Sequence, residues 1–468
     1  MAKCTEARVS EAIQPLTLSL LGVGMCMVLF MQQPNRAAAR RQSPKNVIVM
    51  ISDGCGFNHV ASAGFFEHGK TGAQPYEAFP VKLAMSTYAE GHEYVPALAW
   101  RYFNYVSDAV GCTDSAAAAT AMSTGVKTYD AAIGVDIDHR PLRHAIEVAE
   151  NQGMSTGVVT SVEFSHATPA GFVAHHSNRD AYDAIARQMI YESHLEVIMG
   201  CGHPAFDDDG TPIARPRQFR YVGGNTTWED LSDGRVTGAD ADRDGTNDDW
   251  TVIFARDEFL SLMTGPTPKR VIGIAKKLTT LQQARRPDPN APPFTVPYNG
   301  DVPSLAEMAQ AALNVLDDDP DGFFLMIEGG AVDWASHSNQ TGRMIEEEIE
   351  FNKAVRAVLE WVGKRSNWRQ TLLVVTGDHE CGYLTGPGSG ASDQGPKWNP
   401  PVGHGHGQVP DVEWHSKKHT NSLIPFYAQG RDAARFSQAA KNRDPVRGRY
   451  IDNTDVGKIL RTVLTSRR

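Results

Sequence analysis

The chain has 468 residues, 41% of them hydrophobic and 21% charged, and its 55 acidic and 45 basic residues leave a net charge of −10. This composition excludes wholesale disorder and a multispanning membrane protein. No Lys/Arg block is long enough to track a phosphate backbone, which argues against a nucleic-acid partner. An anionic small molecule is still compatible with the acidic balance, because a few multivalent cations reverse the field inside a pocket.

Residues 1–39 differ from the rest. The run from Leu16 to Met31 is apolar, and Ala37, Ala38 and Ala39 follow it as small residues suited to signal-peptidase cleavage. The segment reads as a secretory signal, with an uncleaved N-terminal anchor as the alternative. No second stretch of spanning length follows, so the remainder is expected as a soluble body in the periplasm or outside the cell, tied to a membrane only through the leader. Cys4 and Cys26 would leave with a cleaved signal. Cys55, Cys112, Cys201 and Cys381 remain, none in a CxxC pair, so their pairing stays open and a zinc-thiolate site is not expected.

Taken in order, several short β-branched apolar runs end abruptly in Gly, Asp, Ser or Glu, the pattern of buried parallel strands. Asn46 to Ile51 leads into Ser52-Asp53-Gly54, and Ser155 to Thr160 leads into a polar loop. Phe323 to Ile327 ends in Glu328-Gly329-Gly330, and Leu372 to Val375 ends in Thr376-Gly377-Asp378-His379. Helical patterns alternate with them, over Leu142 to Gln152 before Gly153 and over Pro303 to Leu316, where Leu305, Met308, Ala309, Ala312, Leu313 and Leu316 share one face. The alternation predicts an α/β fold, a large, mostly parallel central sheet with helices on both faces. Ligands of such sheets lie beyond the carboxyl ends of the strands, where Asp53, Glu328, Asp378 and His379 fall.

Two stretches rich in Gly, Pro, Asp and other polar residues, 204–250 and 386–414, read as surface insertions. In the first, Asp240, Asp242, Asp244, Gly245 and Asp248 match the early half of a DxDxDG calcium loop, without the usual Glu at its twelfth position. Structural calcium and a plain solvated acidic loop are both open there. His404 and His406 in GHGHG are expected to hold no metal, and His175 and His176 to pack or hydrogen-bond.

Three constellations carry chemistry. In Thr113-Asp114-Ser115, an alanine-rich helix begins just after the serine, so Ser115 stands where unpaired N–H groups and positive partial charge hold an anion and favour an alkoxide. A helix-capping role for Asp114 or Ser115 is the bland alternative. In Glu328-Gly-Gly-Ala-Val-Asp333-Trp334-Ala-Ser-His337, a helix starting near Asp333 sets a carboxylate and an imidazole four residues apart on one face, able to grip one zinc ion. In Thr376-Gly377-Asp378-His379-Glu380, adjacent ligands share a strand terminus. With Asp53 and the later His419-Thr420 these residues suffice for a multinuclear oxygen and nitrogen site.

The motifs ISDG, DSAAAATAMSTGVKT, HATPAGFVAH, EGG…D…H, TGDHE and HTNSLIPFYA stand in the order found in the alkaline phosphatase family, which the chain resembles from Asn46 to about Gly430. The resemblance implies one catalytic domain over 44–465 that hydrolyses phosphate monoesters through a phosphoserine. It implies Ser115 as nucleophile and Arg179 as the holder of substrate phosphate, with Trp334 beside them in the substrate pocket. One zinc would be held by Asp333, His337 and His419, and a second by Asp53, Asp378 and His379. Magnesium would be held by Asp53, Thr168 and Glu328. His166 and Trp334 stand where the best-known bacterial pattern has Asp and Lys. Having His166 beside the third ion leaves that ion open between magnesium and another divalent cation such as cobalt. The resemblance also leaves a homodimer open. A phosphodiesterase or sulfatase of the same superfamily is the nearest rival, and a non-catalytic, metal-stabilised binding protein is the rival from another class.

Overall fold

The computed structural model describes residues 43–108 and 111–466. The leader, with its apolar run and Ala37 to Ala39, lies outside them. In the unit Gln42–Arg468 the central element is an eleven-stranded sheet. Its strands are β1 (Asn46–Ser52), β2 (Val81–Ser86), β3 (Ser155–Glu163), β4 (Val197–Cys201), β5 (Thr251–Ile253), β6 (Val271–Ile274), β7 (Phe323–Gly329), β8 (Thr371–Gly377), β9 (Ile424–Gly430), β10 (Asn442–Asp444) and β11 (Gly448–Asp452). They are ordered β10-β11-β2-β9-β8-β1-β7-β3-β4-β6-β5. From β8 to β5 neighbours pair in parallel, while β9 runs against both β8 and β2, and β10 against β11. The expected large, mostly parallel sheet is present.

Both faces are covered, which is why the central strands read as continuous apolar runs rather than alternating ones. The period of two still divides them. Val47, Val49 and Ile51 of β1 and Phe324 and Met326 of β7 join one core, with Ala116, Ala119 and Met122 of a helix Ser115–Thr124 and Val456 and Leu460 of a helix Asn453–Thr465. Ile48, Met50, Phe323, Leu325 and Ile327 face the other core, against Met308 and Leu313 of Leu305–Leu316 and Ile345, Phe351 and Val355 of Thr341–Arg365.

Helix boundaries depart from the expected ones for local reasons. Leu305–Leu316 does not start at Pro303. Ser304 caps it, its hydroxyl accepting the Glu307 N–H while the Glu307 carboxylate accepts the Ser304 N–H. The helix expected over Leu142 to Gln152 spans only Ala145–Glu150, beginning where the Glu147 carboxylate accepts the His144 N–H at 2.7 Å. The first proposed insertion lies between β4 and β5 and carries a helix Asn225–Ser232. The second lies between Leu384–Thr385 and Glu413–Trp414, which pair antiparallel.

Candidate active site

Register builds the site. Ser52 at the end of β1 pairs with Gly329 of β7 on one side and Gly377 of β8 on the other. Asp53, Glu328 and Asp378 therefore come off three adjacent strands at one level, at their carboxyl ends. Gly54 closes this corner at φ +72°, and a Cβ there would lie 2.7 Å from the Asp333 backbone. Its N–H donates to Asp378 Oδ1 at 3.0 Å.

The helix Ala331–His337, immediately after β7, brings in Asp333 and His337. The two-residue strands Glu380–Cys381 and His419–Thr420 pair antiparallel and add His419 beside His379, their rings stacked at 3.6 Å. The helix Ser115–Thr124 aims its first residue at this group, with Ser115 Oγ 3.2 Å from His379 Nε2. Asp114 caps that helix as the sequence suggests, accepting from the Ala117 N–H at 2.9 Å. Its second oxygen does something the sequence did not reveal: it accepts from Arg179 Nη1 at 2.9 Å, while Arg179 Nη2 faces His166 Nε2 at 3.2 Å. Ser115, His166, Arg179, Asp333, Trp334, His337 and His419 line one cleft of about 380 Å³.

Ligand atoms fall into three sets, each lying within 4.8 Å of one another: Asp333, His337 and His419 with Cys381; Asp53, Asp378 and His379; and Asp53, His166 and Glu328. Thr168 is buried near the Glu328 carboxylate. The donors suit divalent cations. Both Asp53 oxygens and one oxygen each of Glu328, Asp333 and Asp378 are buried without a hydrogen-bond donor, as are Thr168 Oγ1 and His166 Nδ1. His337 Nδ1 bonds the Lys417 carbonyl at 2.7 Å and His419 Nδ1 the Thr113 carbonyl at 3.0 Å. These bonds fix the protons on Nδ1 and turn the lone pairs of the two Nε2 atoms, 3.0 Å apart, toward each other and toward Asp333. Such an arrangement suits a cation between them, a role that a proton on His419 can fill where no metal is bound.

Electrostatics report the same surplus of negative charge. Burial, then the neighbouring carboxylates of Asp378, Asp333 and Glu328, push Asp53 well above the ordinary carboxylate range. Burial raises Glu328 to about 7 and Asp378 to about 6. Burial also opposes ionisation of Asp333, yet His419 and His337 outweigh it and hold this carboxyl well below its usual value. His419 rises to about 9, Asp333 overcoming burial. Burial and then Arg179 lower His166 to about 3, so it stands neutral.

Elsewhere, Asp240, Asp242 and Asp248 do converge, but the Lys269 ammonium sits against Asp242 at 2.6 Å, Asp248 at 2.7 Å and Asp244 at 3.7 Å. A protein cation thus competes for the candidate calcium position. His175 Nε2 bonds the Leu142 carbonyl and His404 pairs with Asp411. Cys381 entered the first set unforeseen, because no CxxC pattern marks it.

Comparison with known proteins gives the family. The sequence profile described as alkaline phosphatase matches residues 44–397. Alkaline phosphatase 4 of Bacillus subtilis (strain 168) is 29% identical over 391 residues, covering 80% of this chain and 70% of its own length. The Thermus thermophilus alkaline phosphatase structure superposes with a TM-score of 0.63 at 21% identity, covering 96% of each chain. A His-to-Asp mutant of TAB5 alkaline phosphatase with Mg bound in the M3 site has a TM-score of 0.61 at 24% identity, over 91% of this chain and 99% of its own. Profile, curated relatives and fold agree, and the chain belongs to the alkaline phosphatase family, as an enzyme that hydrolyses phosphate monoesters.

Proposed function

We propose that hydrolysis runs through a phosphoserine on Ser115, with Arg179 holding the substrate's phosphate and three divalent cations seated in the carboxylate and imidazole sets. The observation that carries this reading is the 3.2 Å approach of Ser115 Oγ to His379 Nε2, at a helix tip and beside buried carboxylate oxygens that have no donor. Asp333, His337 and His419 would hold one zinc, and Asp53, Asp378 and His379 the second. Asp53, Thr168 and Glu328 would hold magnesium, with His166 at its edge. When bound, the zinc ions supply Lewis-acid stabilisation of the serine alkoxide and of the departing alkoxide.

The chain's own residues then have defined tasks. Ser115 Oγ forms a bond to phosphorus as the bond from phosphorus to the ester oxygen breaks, and the alcohol leaves with the proton that the serine gives up. Water attacks the phosphoserine from the vacated side, restoring the hydroxyl and releasing inorganic phosphate. Arg179 presents a planar fork to two non-bridging oxygens. Asp114 fixes the plane of that fork through one Nη. Trp334, its ring 5.8 Å from that of His166, walls the pocket without contributing charge.

His166 favours a third site of reduced negative charge. A neutral ring in place of a carboxylate would hold magnesium less tightly; the TAB5 mutant in which Asp replaces a His has magnesium bound in its M3 site. Export of the chain is proposed from the leader's apolar run and Ala37 to Ala39. No helix among the described residues is long and apolar enough to cross a membrane.

The test combines rates on a phenyl phosphate monoester, the matching diester and the sulfate with acid-quenched labelling by a phosphorus-labelled monoester. Preference for the monoester and label on Ser115, absent in Ser115→Ala, is the expected result. Preference for the diester or sulfate, or turnover that persists in Ser115→Ala, overturns the assignment.

A further inference from the structure

Cys381 takes no part in the mechanism above, yet its surroundings are those of a ligand. It lies directly opposite His419 in the antiparallel pair of short strands. Opposed residues of such a pair project from the same face, so the thiol and the imidazole leave the backbone together. The Cys381 N–H is tied to the Gly54 carbonyl at 3.0 Å, on the same glycine whose N–H orients Asp378. Its Sγ shares a cluster with one ligand atom each of Asp333, His337 and His419, all within 4.8 Å of one another. Cys381 is fully buried. A second observation at the same place points to a cation: Asp333, 5% exposed, has its Oδ1 without a donor, 3.4 Å from His419 Nε2. A buried thiol ordinarily packs as a small hydrophobe, whereas this one faces a carboxylate and two imidazoles.

We infer that Cys381 supplies a thiolate as the fourth protein ligand of the cation held by Asp333, His337 and His419, and that this position therefore selects a thiophilic ion such as zinc or cadmium. The inference rests on the metal-dependent phosphatase reading. In ligation the Sγ–H bond breaks, an Sγ–metal bond forms and the proton passes to water, with no change of oxidation state. One carboxylate, two imidazoles and a thiolate would give the ion four protein ligands, and zinc admits a further ligand during catalysis. The soft sulfur separates this position from the oxygen-rich set of Asp53, Thr168 and Glu328.

The full-length enzyme, stripped by a chelator and reloaded with Co²⁺, tests this by absorption. A thiolate-to-cobalt charge-transfer band in the near ultraviolet is expected, lost in Cys381→Ser and Cys381→Ala while the visible d–d bands persist. Zinc affinity in these variants should fall at least 10- to 100-fold, about the cost of losing a supporting group at a metal site. X-ray absorption at the zinc edge of the unmodified enzyme gives the same answer without a variant, as a sulfur scatterer at about 2.3 Å. Visible cobalt bands and phosphatase activity with no charge-transfer band, or only nitrogen and oxygen around zinc, overturn the ligand role and leave the phosphatase reading standing. No cobalt uptake and no metal-dependent activity overturn both.

Discussion

Arg179→Ala removes a guanidinium whose position the structure explains. Nη1 donates to Asp114 Oδ2 at 2.9 Å and Nη2 faces His166 Nε2 at 3.2 Å, so each spends one of its two N–H groups and keeps the other for phosphate. Two charge-assisted bonds to phosphate are worth roughly 1.5–3 kcal/mol each. The Arg179 side chain is 19% exposed, so water recovers part of that, and a loss of about 2–4 kcal/mol remains. At 1.4 kcal/mol per decade the inhibition constant for inorganic phosphate should rise by about 30- to 700-fold, and the rate of the chemical step should fall less. Asp114→Ala should act through the arginine, with a smaller rise in the same constant. It should also lose about 1 kcal/mol of stability from the uncapped helix Ser115–Thr124. The assay is phosphate inhibition across the double-mutant cycle, and the two effects should be strongly non-additive. An unchanged inhibition constant in Arg179→Ala, or full additivity with Asp114→Ala, would refute the reasoning.

Thr168→Ala deletes a buried hydroxyl that lies beside the Glu328 carboxylate. Titration calorimetry of the zinc-loaded enzyme should show magnesium affinity lowered by about tenfold or more, with zinc content unchanged. His166→Asp places a charge where burial and Arg179 now keep a neutral ring; magnesium should bind about tenfold tighter, and phosphate more weakly because the new carboxylate competes for Arg179 Nη2. In the chelated protein, Glu328 at about 7 and Asp378 at about 6 bind protons that their unfolded forms have released. The folded state then holds more protons, so these groups cost stability as pH rises from about 4 to about 7. Thermal unfolding of chelated Glu328→Gln should show a shallower fall across that window than the parent, and an equal slope would contradict the assignment.

Much of this site could be read from the sequence because its ligands follow strand ends. Asp53, Glu328 and Asp378 sit at apolar-to-polar breaks, and a parallel sheet aligns such breaks at one edge without further information. Asp333 and His337 were visible through helical spacing. Long-range companions were not: Asp114 looked like a helix cap, and only folding shows its second oxygen on Arg179, 65 positions away. Cys381 was hidden for the same reason, since its partner His419 arrives through a hairpin-like return of the chain and not through a local motif. Lys269, which meets the acidic loop from beyond β5, likewise had no signal in the DxDxDG pattern. The helix Ala145–Glu150 is shorter because the Glu147 carboxylate takes the His144 N–H and starts the helix inside the apolar-periodic window.

A pair of zinc ions beside the helix-tip hydroxyl is the physical core of this account. Anomalous diffraction from crystals of the zinc-loaded enzyme, collected on both sides of the zinc absorption edge, tests it most directly. One peak within Asp333, His337 and His419 and a second within Asp53, Asp378 and His379, next to Ser115 Oγ, is the predicted result. Zinc bound elsewhere, or a second set that stays empty with Ser115 facing solvent alone, would contradict it.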